Sequence, residues 1–297
     1  MQQTFGLLVA VVMVALLPVL AHADSTTTPT AGDAAAAAQT KAVADAKQYS
    51  DCMTLARSAP DQALKSAQDW QAKGGGIPAG HCDAVALIGL GHYPEAATMM
   101  EKLADEEAKT SKELAAGLFG QAGQAWLIAG DNQHALADQT AALALTPDDA
   151  ELLTDRAVTQ ISMAKYWEAI DDLNKAHDLA SDRVDVLIFR ASAYRFLQSY
   201  DLARDDIDRA INLAPDNAEA YLERGVLRSL TKDMTGARAD WQKTIALAPD
   251  TPTANQAKAD LFQLDQASKV ASPAAPAAPA ATPVQPALPP TPPANPQ

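Results

Sequence analysis

The stretch LAPDNAEAYLERG, at residues 213–225, contains a turn followed by the start of a helix. The same turn recurs at steps of 34 residues, at Pro147-Asp148, Ser181-Asp182, Pro215-Asp216 and Pro249-Asp250. A turn that returns at a fixed interval predicts a chain built from one repeated structural module.

A 34-residue register starting at residue 116 aligns four units without an insertion: 116–149, 150–183, 184–217 and 218–251. Small residues recur at position 8 (Gly123, Ala157, Ala191, Gly225) and at position 20 (Ala135, Ala169, Ala203, Ala237). Small residues let two helices approach closely, and the residue at position 32 ends the second helix. Each unit is therefore predicted to be a helical hairpin, turning near position 15, that buries its apolar face by stacking on its neighbours.

This pattern resembles the tetratricopeptide repeat family, and the resemblance is strong over residues 116–251. It implies an all-α, right-handed solenoid of about five to six helical hairpins. Two degenerate repeats are expected at 44–110, an insertion at 111–115 and a capping helix at 252–270.

The two ends of the chain differ from the repeats. Residues 1–23 contain an apolar run and the small-residue site Ala21-His22-Ala23, which favour a signal peptide cleaved before Asp24, although the segment lacks Lys and Arg; an uncleaved anchor is the alternative. A flexible leader and the start of a helix are expected at 24–43, and a disordered Pro/Ala-rich tail at 271–297. The predicted location is periplasmic or secreted, with no stable membrane association after signal cleavage.

The net charge is −14, and residues 1–23 and 271–297 contain no Asp, Glu, Lys or Arg. All of the charge therefore falls on residues 24–270. Such an acidic body repels phosphate backbones, so the composition argues against nucleic-acid binding and against adhesion to anionic membranes.

The only two cysteines, Cys52 and Cys82, fall on the first helices of adjacent degenerate repeats. In an exported protein an even number of cysteines favours a disulfide, which would fasten the N-terminal repeat. Two buried free thiols are the alternative.

The sequence contains no motif of an enzyme, a cofactor site or a metal site. His81, His92, His134 and His177 are isolated at helical positions, where a lone histidine is usually a surface or packing residue. We therefore expect no catalytic residues, no cofactor and no metal.

Charged residues recur at positions 7 and 23, which are equally far from the turn of the hairpin and should face each other. Three structural ion pairs are predicted: Arg156 with Asp172, Arg190 with Asp206, and Arg224 with Asp240. In the unit 116–149, Ala122 occupies position 7, so Asp138 lacks this partner. A ladder of anion-binding arginines is the alternative interpretation.

The resemblance implies a concave groove lined by first-helix positions 2, 5, 6, 9, 12 and 13. From these positions the predicted groove takes Gln121, Gln124, Leu127, Val158, Ile161, Ile188, Phe189, Arg195, Phe196, Leu222, Val226 and Leu230. The Lys, Arg and Asn side chains with which some family members bind a peptide carboxylate are absent. An apolar floor with an acidic rim would suit a peptide with apolar and basic residues; alternatively, Ile188, Phe189 and Leu222 only pack between helices.

The predicted function is a non-catalytic protein–protein interaction scaffold that binds a peptide or protein through the groove, in bacterial envelope assembly. The alternative is a structural spacer or tethering protein that attaches through its Pro/Ala-rich tail.

Overall fold

A computed structural model describes the backbone of residues 31–271 and the side chains of residues 39–268. Over residues 31–271 the chain forms thirteen α-helices and no strand, and none of these helices is long and apolar enough to cross a membrane. The helices are α1 (Ala31–Ser58), α2 (Pro60–Gln71), α3 (Gly76–Gly89), α4 (Tyr93–Glu107), α5 (Lys112–Ala129), α6 (Asn132–Leu145), α7 (Ala150–Ser162), α8 (Tyr166–Leu179), α9 (Val184–Phe196), α10 (Tyr200–Leu213), α11 (Ala218–Leu230), α12 (Met234–Leu247) and α13 (Pro252–Ala271).

Consecutive helices pair into six hairpins, and α13 packs on the last of them. The predicted all-α stack of hairpins is therefore confirmed. The residues of the predicted insertion at 111–115 lie at the start of α5: Ser111 caps this helix by accepting a hydrogen bond from the Leu114 amide at 3.2 Å, and 112–115 form its first turn. These extra residues lengthen the helix.

The turn inside each hairpin lies at position 15, as the repeat register predicts. The residue there has a left-handed backbone in five repeats: Gly91, Gly130, Ala164, Gln198 and Lys232. The next amide then closes the helix end, as when the Ser199 amide donates to the Tyr194 carbonyl oxygen at 2.9 Å. The same backbone turn is thus made by glycine in two repeats and by a larger residue in three.

The recurring turn of LAPDNAEAYLERG forms the joint between hairpins. After Pro215-Asp216, the Asn217 side chain caps α11 by accepting a hydrogen bond from the Ala220 amide at 2.9 Å. A basic residue at position 26 binds the equivalent joint in two repeats: Lys175 donates to the Pro147 carbonyl oxygen at 2.8 Å, and Arg209 donates to that of Ser181 at 3.1 Å. The joint therefore ends one hairpin and starts the next.

Small residues allow the two helices of a hairpin to pack closely. Ala169 and Ala237 are fully buried, and Ala203 is nearly so. A Cβ atom on Gly225 would lie 2.5 Å from Nε1 of Trp241, and one on Gly123 would lie 2.8 Å from Cγ of Gln139. Positions 8 and 20 are small because a larger side chain would separate the helices.

A disulfide joins Cys52 on α1 to Cys82 on α3, with their Cα atoms 6.2 Å apart. Both sulfur-bearing residues are buried, and Ala67 packs beside them. The bond fastens the first helices of adjacent degenerate repeats, as predicted, in a region where repeat-specific side chains are scarce.

Three sequence predictions fall wholly or partly outside the described residues. These are the signal peptide at 1–23, the leader at 24–43 up to residue 30, and the Pro/Ala-rich tail beyond Ala271, where α13 ends.

Candidate functional site

The first helices of successive repeats lie side by side, so that α5, α7, α9 and α11 contact one another in order. Positions 2, 6, 9 and 13 share one face of each helix, because they recur at close to the helical period. We call this surface the first-helix face. Position 13 lies about 16 Å along the helix from position 2, so the face is wide enough to have two chemically different edges.

The predicted groove residues differ in their exposure. Val158, Ile161 and Ile188 are only 6–7% exposed and belong to the hydrophobic core. Phe189 and Leu222 are partly buried and pack against core clusters. Exposed apolar surface on this face lies near the C-terminal end of α11, where the Leu230 side chain is 44% exposed.

Hydrogen bonds connect the first helices across this face. The Tyr49 hydroxyl lies 2.7 Å from Nδ1 of His81, whose Nε2 lies 2.8 Å from Oε1 of Gln121. Gln124 Nε2 donates to Asp155 Oδ2 at 2.7 Å. Burial lowers the pKa of His81, so the neutral imidazole is favoured in this chain of polar contacts. His81 is a bonded packing residue, as the sequence indicated.

Arg195, a predicted groove residue, is held within the face. Its guanidinium donates to both carboxylate oxygens of Glu223, at 2.5 and 3.3 Å, and to Ser192 Oγ at 3.1 Å. Its Cζ atom lies 4.4 Å from the ring centroid of Phe196. At 9% exposure, Arg195 connects α9 to α11 and is not positioned to bind an anion from solvent.

The N-terminal edge of the first-helix face is acidic, and the groove residues predicted from the sequence do not include this edge. Position 2 is Glu151, Asp185 and Glu219 in three successive repeats, and Asp155 occupies position 6. We call these four residues the acidic edge. Their recurrence at a groove position was the sequence signal that could have identified them.

The carboxylates of the acidic edge are incompletely neutralised. Burial raises the pKa of Asp155 to about 7, against a hydrogen bond from Gln124 that lowers it. Burial also raises the pKa values of Glu151 and Glu219, and Asp185 adds repulsion to both. Arg183 pairs with Asp185 at 2.5 Å, and its charge lowers the pKa values of Glu151 and Asp155 without offsetting the effect of burial. An added cation would therefore be favourable at this edge.

The three predicted arginine–aspartate pairs are confirmed on the other side of the hairpins. Arg156 binds Asp172 through two hydrogen bonds of 2.7 and 2.8 Å. Arg190 and Arg224 bind Asp206 and Asp240 in the same bidentate way. We call each such pair an arginine bridge; because both partners are engaged, these arginines stabilise the repeats and do not form an anion-binding ladder.

Asp138 occupies the equivalent position in the repeat 116–149 without an arginine, as predicted. Burial, the charge of Glu101 and contact with that side chain together raise its pKa to about 7, with burial the largest cause. The indole Nε1 of Trp126 donates to Glu101 Oε1 at 2.6 Å. Sequence analysis missed Glu101, because the repeat that contains it is degenerate.

Among residues 39–268 no group of three or more His, Cys, Asp or Glu side chains is arranged to hold a metal ion.

Comparisons with known proteins identify the repeat. The tetratricopeptide repeat family model matches residues 184–217, one full unit of the predicted register. No curated protein matches the sequence.

Solved structures of the same kind are similar to this chain. A tetratricopeptide repeat protein from Parabacteroides merdae is 19% identical, with a TM-score of 0.51 and coverage of 76% of each chain. A tetratricopeptide repeat protein from Thermus thermophilus is also 19% identical, with a TM-score of 0.51 and coverage of 60% of this chain and 95% of that one. The first such domain of Spaghetti, solved with an HSP90 peptide, is 28% identical over 41% of this chain and 94% of that one, with a TM-score of 0.37.

The 34-residue unit, the six stacked hairpins and the family match agree. Residues 184–217 match the tetratricopeptide repeat family, and over residues 31–271 the chain has the fold of tetratricopeptide repeat proteins of known structure.

Proposed function

We propose that this protein is a non-catalytic protein–protein interaction scaffold whose first-helix face binds a basic, amphipathic segment of a partner in the bacterial envelope. The acidic edge carries this proposal, because it places four carboxylates along one side of the face, where among residues 39–268 an ion pair is formed by Arg183 with Asp185. Support for the envelope location is the predicted signal peptide at 1–23.

The spacing across the face favours a helical segment. The acidic edge lies at positions 2 and 6, whereas the exposed apolar contribution of Leu230 lies at position 13. A partner helix is about 10–12 Å wide, so one amphipathic helix can place basic side chains at the acidic edge and apolar side chains at the other. An extended strand, whose neighbouring side chains alternate between two faces, spans this distance less well.

The charges of the acidic edge should also select the partner. Raised pKa values at Glu151, Asp155 and Glu219 mean that the protein itself does not fully compensate these carboxylates. Lys or Arg from a partner would stabilise their charged forms, whereas an acidic segment would be repelled.

Site-specific photocrosslinking in intact cells tests the location of the partner. A photoreactive phenylalanine analogue is placed at Leu230 on the first-helix face or, as the matched control, at Leu202 on α10, which is 50% exposed. We expect a discrete crosslinked product from Leu230 that is identified by mass spectrometry and is absent from Leu202. Crosslinks of equal yield and identity from both positions would contradict binding at the face.

Two further variants separate this proposal from attachment through the tail. Replacing Glu151 and Glu219 by Gln should reduce the Leu230 crosslink at least fivefold, because both carboxylates leave the acidic edge. Deleting residues 271–297 should leave the crosslink unchanged. The opposite pattern, with loss on deletion and no effect of the Gln substitutions, would favour the tethering alternative.

A further inference from the structure

The Glu101–Asp138 pair lies where later repeats hold an arginine. Asp138 is at position 23, like the aspartates of the three arginine bridges, and Glu101 is at position 25 of the preceding repeat. Position 25 is Asn174 in the repeat 150–183 and Asp208 in the repeat 184–217. Each of these residues lies close to an arginine of the next repeat. Glu101 and Asp138 therefore belong to α4 and α6, at the same relative places as known arginine-binding residues.

Both kinds of position bind guanidinium groups elsewhere in the protein. Arg190 donates to Asp206 and also to Asn174 Oδ1 at 3.0 Å. Arg224 donates to Asp240 and lies 3.6 Å from Asp208 Oδ1. The molecule thus shows twice how residues 23 and 25 of adjacent second helices hold one arginine from both sides.

The chain does not supply that arginine in the repeat 116–149, because Ala122 occupies position 7. Asp138 is only 9% exposed, and its Oδ2 atom has no hydrogen-bond partner among the described residues. His134 acts on Asp138 by charge, but its Nδ1 lies 2.7 Å from Asp131 and its side chain is 63% exposed. A buried carboxylate oxygen without a donor is unfavourable until a donor arrives.

We propose that the Glu101–Asp138 pair is a binding site for the guanidinium group of an arginine side chain supplied by a partner protein. The planar fork of a guanidinium fits two carboxylates better than a lysine ammonium does, and the arginine bridges show this fit in the same fold. Trp126 orients Glu101 through its indole hydrogen bond of 2.6 Å. This site is separate from the first-helix face, because its carboxylates lie on second helices.

Charge and access both point to an external donor. Residues 1–30 and 272–297 contain no Lys or Arg, so these two segments do not supply the guanidinium group. The side chains of Arg156, Arg190 and Arg224 are 22%, 13% and 19% exposed, so these interfaces open partly to solvent. An arginine from outside would reach the pair through Glu101, which is itself only partly buried.

Nuclear magnetic resonance of the full chain at pH 8 tests the proposal with three capped tripeptides, Gly-Arg-Gly, Gly-Lys-Gly and Gly-Gln-Gly. The readouts are the indole N–H signal of Trp126 and the carboxyl carbon signal of Asp138. We expect Gly-Arg-Gly alone to shift both signals saturably, with half-saturation on the order of 1–10 mM, the affinity range of a single charged contact. The indole of Trp167, which is 64% exposed, is the internal control for nonspecific stacking and should not saturate.

Two variants make the result specific. Asp138→Asn should abolish the saturable shift, because it removes one of the two carboxylates. Ala122→Arg should abolish it by occupying the site from within, as in the other repeats. Equal shifts with all three tripeptides, or a Gly-Arg-Gly shift that persists in Asp138→Asn, would overturn the proposal. The Asp138→Asn titration tests the site even if Ala122→Arg does not fold.

Discussion

The repeats at 184–217 and 116–149 place an aspartate at the same point of the same hairpin, in opposite surroundings. Asp206 accepts two hydrogen bonds from Arg190, at 2.7 and 2.8 Å. Asp138 faces Glu101 instead, and its pKa is raised to about 7, first by burial. Identical backbone positions can therefore give a carboxylate that stabilises the fold and one that opposes it in its charged form.

The turn residue at position 15 shows a second difference between these repeats. It is Gly130 in the earlier repeat and Gln198 in the later one, although both have a left-handed backbone. Glycine adopts this conformation without a steric penalty, whereas a residue with a Cβ atom does not. The later repeat has the arginine bridge, which the earlier repeat lacks, and the less favourable turn residue.

The largest expected effect is the loss of an arginine bridge. Arg190→Leu should lower the free energy of unfolding by about 3–5 kcal/mol, because Asp206 remains buried without its charged partner. Urea denaturation followed by circular dichroism measures this change. Arg204→Ala is the control, since the Arg204–Asp201 pair is exposed on both sides and its loss should change stability by less than about 1 kcal/mol.

Binding measurements on the same variant distinguish a structural arginine from one that binds an anion. At a temperature where the Arg190→Leu variant is folded, the photoreactive analogue at position 230 should still give the crosslinked product. A variant of unchanged stability that has lost the crosslink would contradict the structural role of the arginine bridge.

The second prediction is that replacing Asp138 stabilises the protein at high pH, whereas loss of an arginine bridge destabilises it. The folded-state pKa of Asp138, about 7, lies above the ordinary value of 3.8, so ionisation destabilises the fold. This penalty is absent below about pH 4, grows between pH 4 and 7, and is complete above that range. Asp138→Asn should therefore raise the free energy of unfolding by about 1–3 kcal/mol at pH 8 and by little at pH 4.

Chemical denaturation of the two proteins at pH 4, 6 and 8 provides the measurement. Asp206→Asn is the matched control, because it weakens a bidentate ion pair and should destabilise the protein at pH 8. If Asp138→Asn and Asp206→Asn changed stability in the same direction at pH 8, the contrast between the two repeats would be wrong.

The smallest effect is expected at the turns. Gln198→Gly should raise the free energy of unfolding by about 0.5–1 kcal/mol, since it relieves a left-handed residue, and Gly130→Ala should lower it by a similar amount. A Cβ atom on Gly130 would meet no other atom within 4 Å, so the backbone conformation alone is tested. A loss of stability in Gln198→Gly would show that the glutamine side chain contributes more than the strain of its backbone.

Much of the architecture could be predicted because the hairpin is encoded locally and repeatedly. The period of Pro215-Asp216, the small residues at Gly225 and Ala237, and the facing positions of Arg224 and Asp240 all depend on one repeat and its immediate joint. Contacts of this kind recur in register, so the same pattern carries the information several times. The degenerate repeats were harder, because their side chains depart from that pattern.

The sequence by itself determined the repeat length, the helical hairpins, the arginine bridges and the pairing of Cys52 with Cys82, because each depends on spacing within or between adjacent units. Only the tertiary structure decided which groove residues are buried, as with Ile188, and which carboxylates lack compensation, as with Asp138. Burial and charge depend on what neighbouring repeats bring to a position, and Glu101 comes from a different repeat, 37 residues earlier than Asp138. The physical reason is that the spacing of residues is fixed along the chain, whereas the burial of a side chain and its charged partners are set only when the hairpins stack.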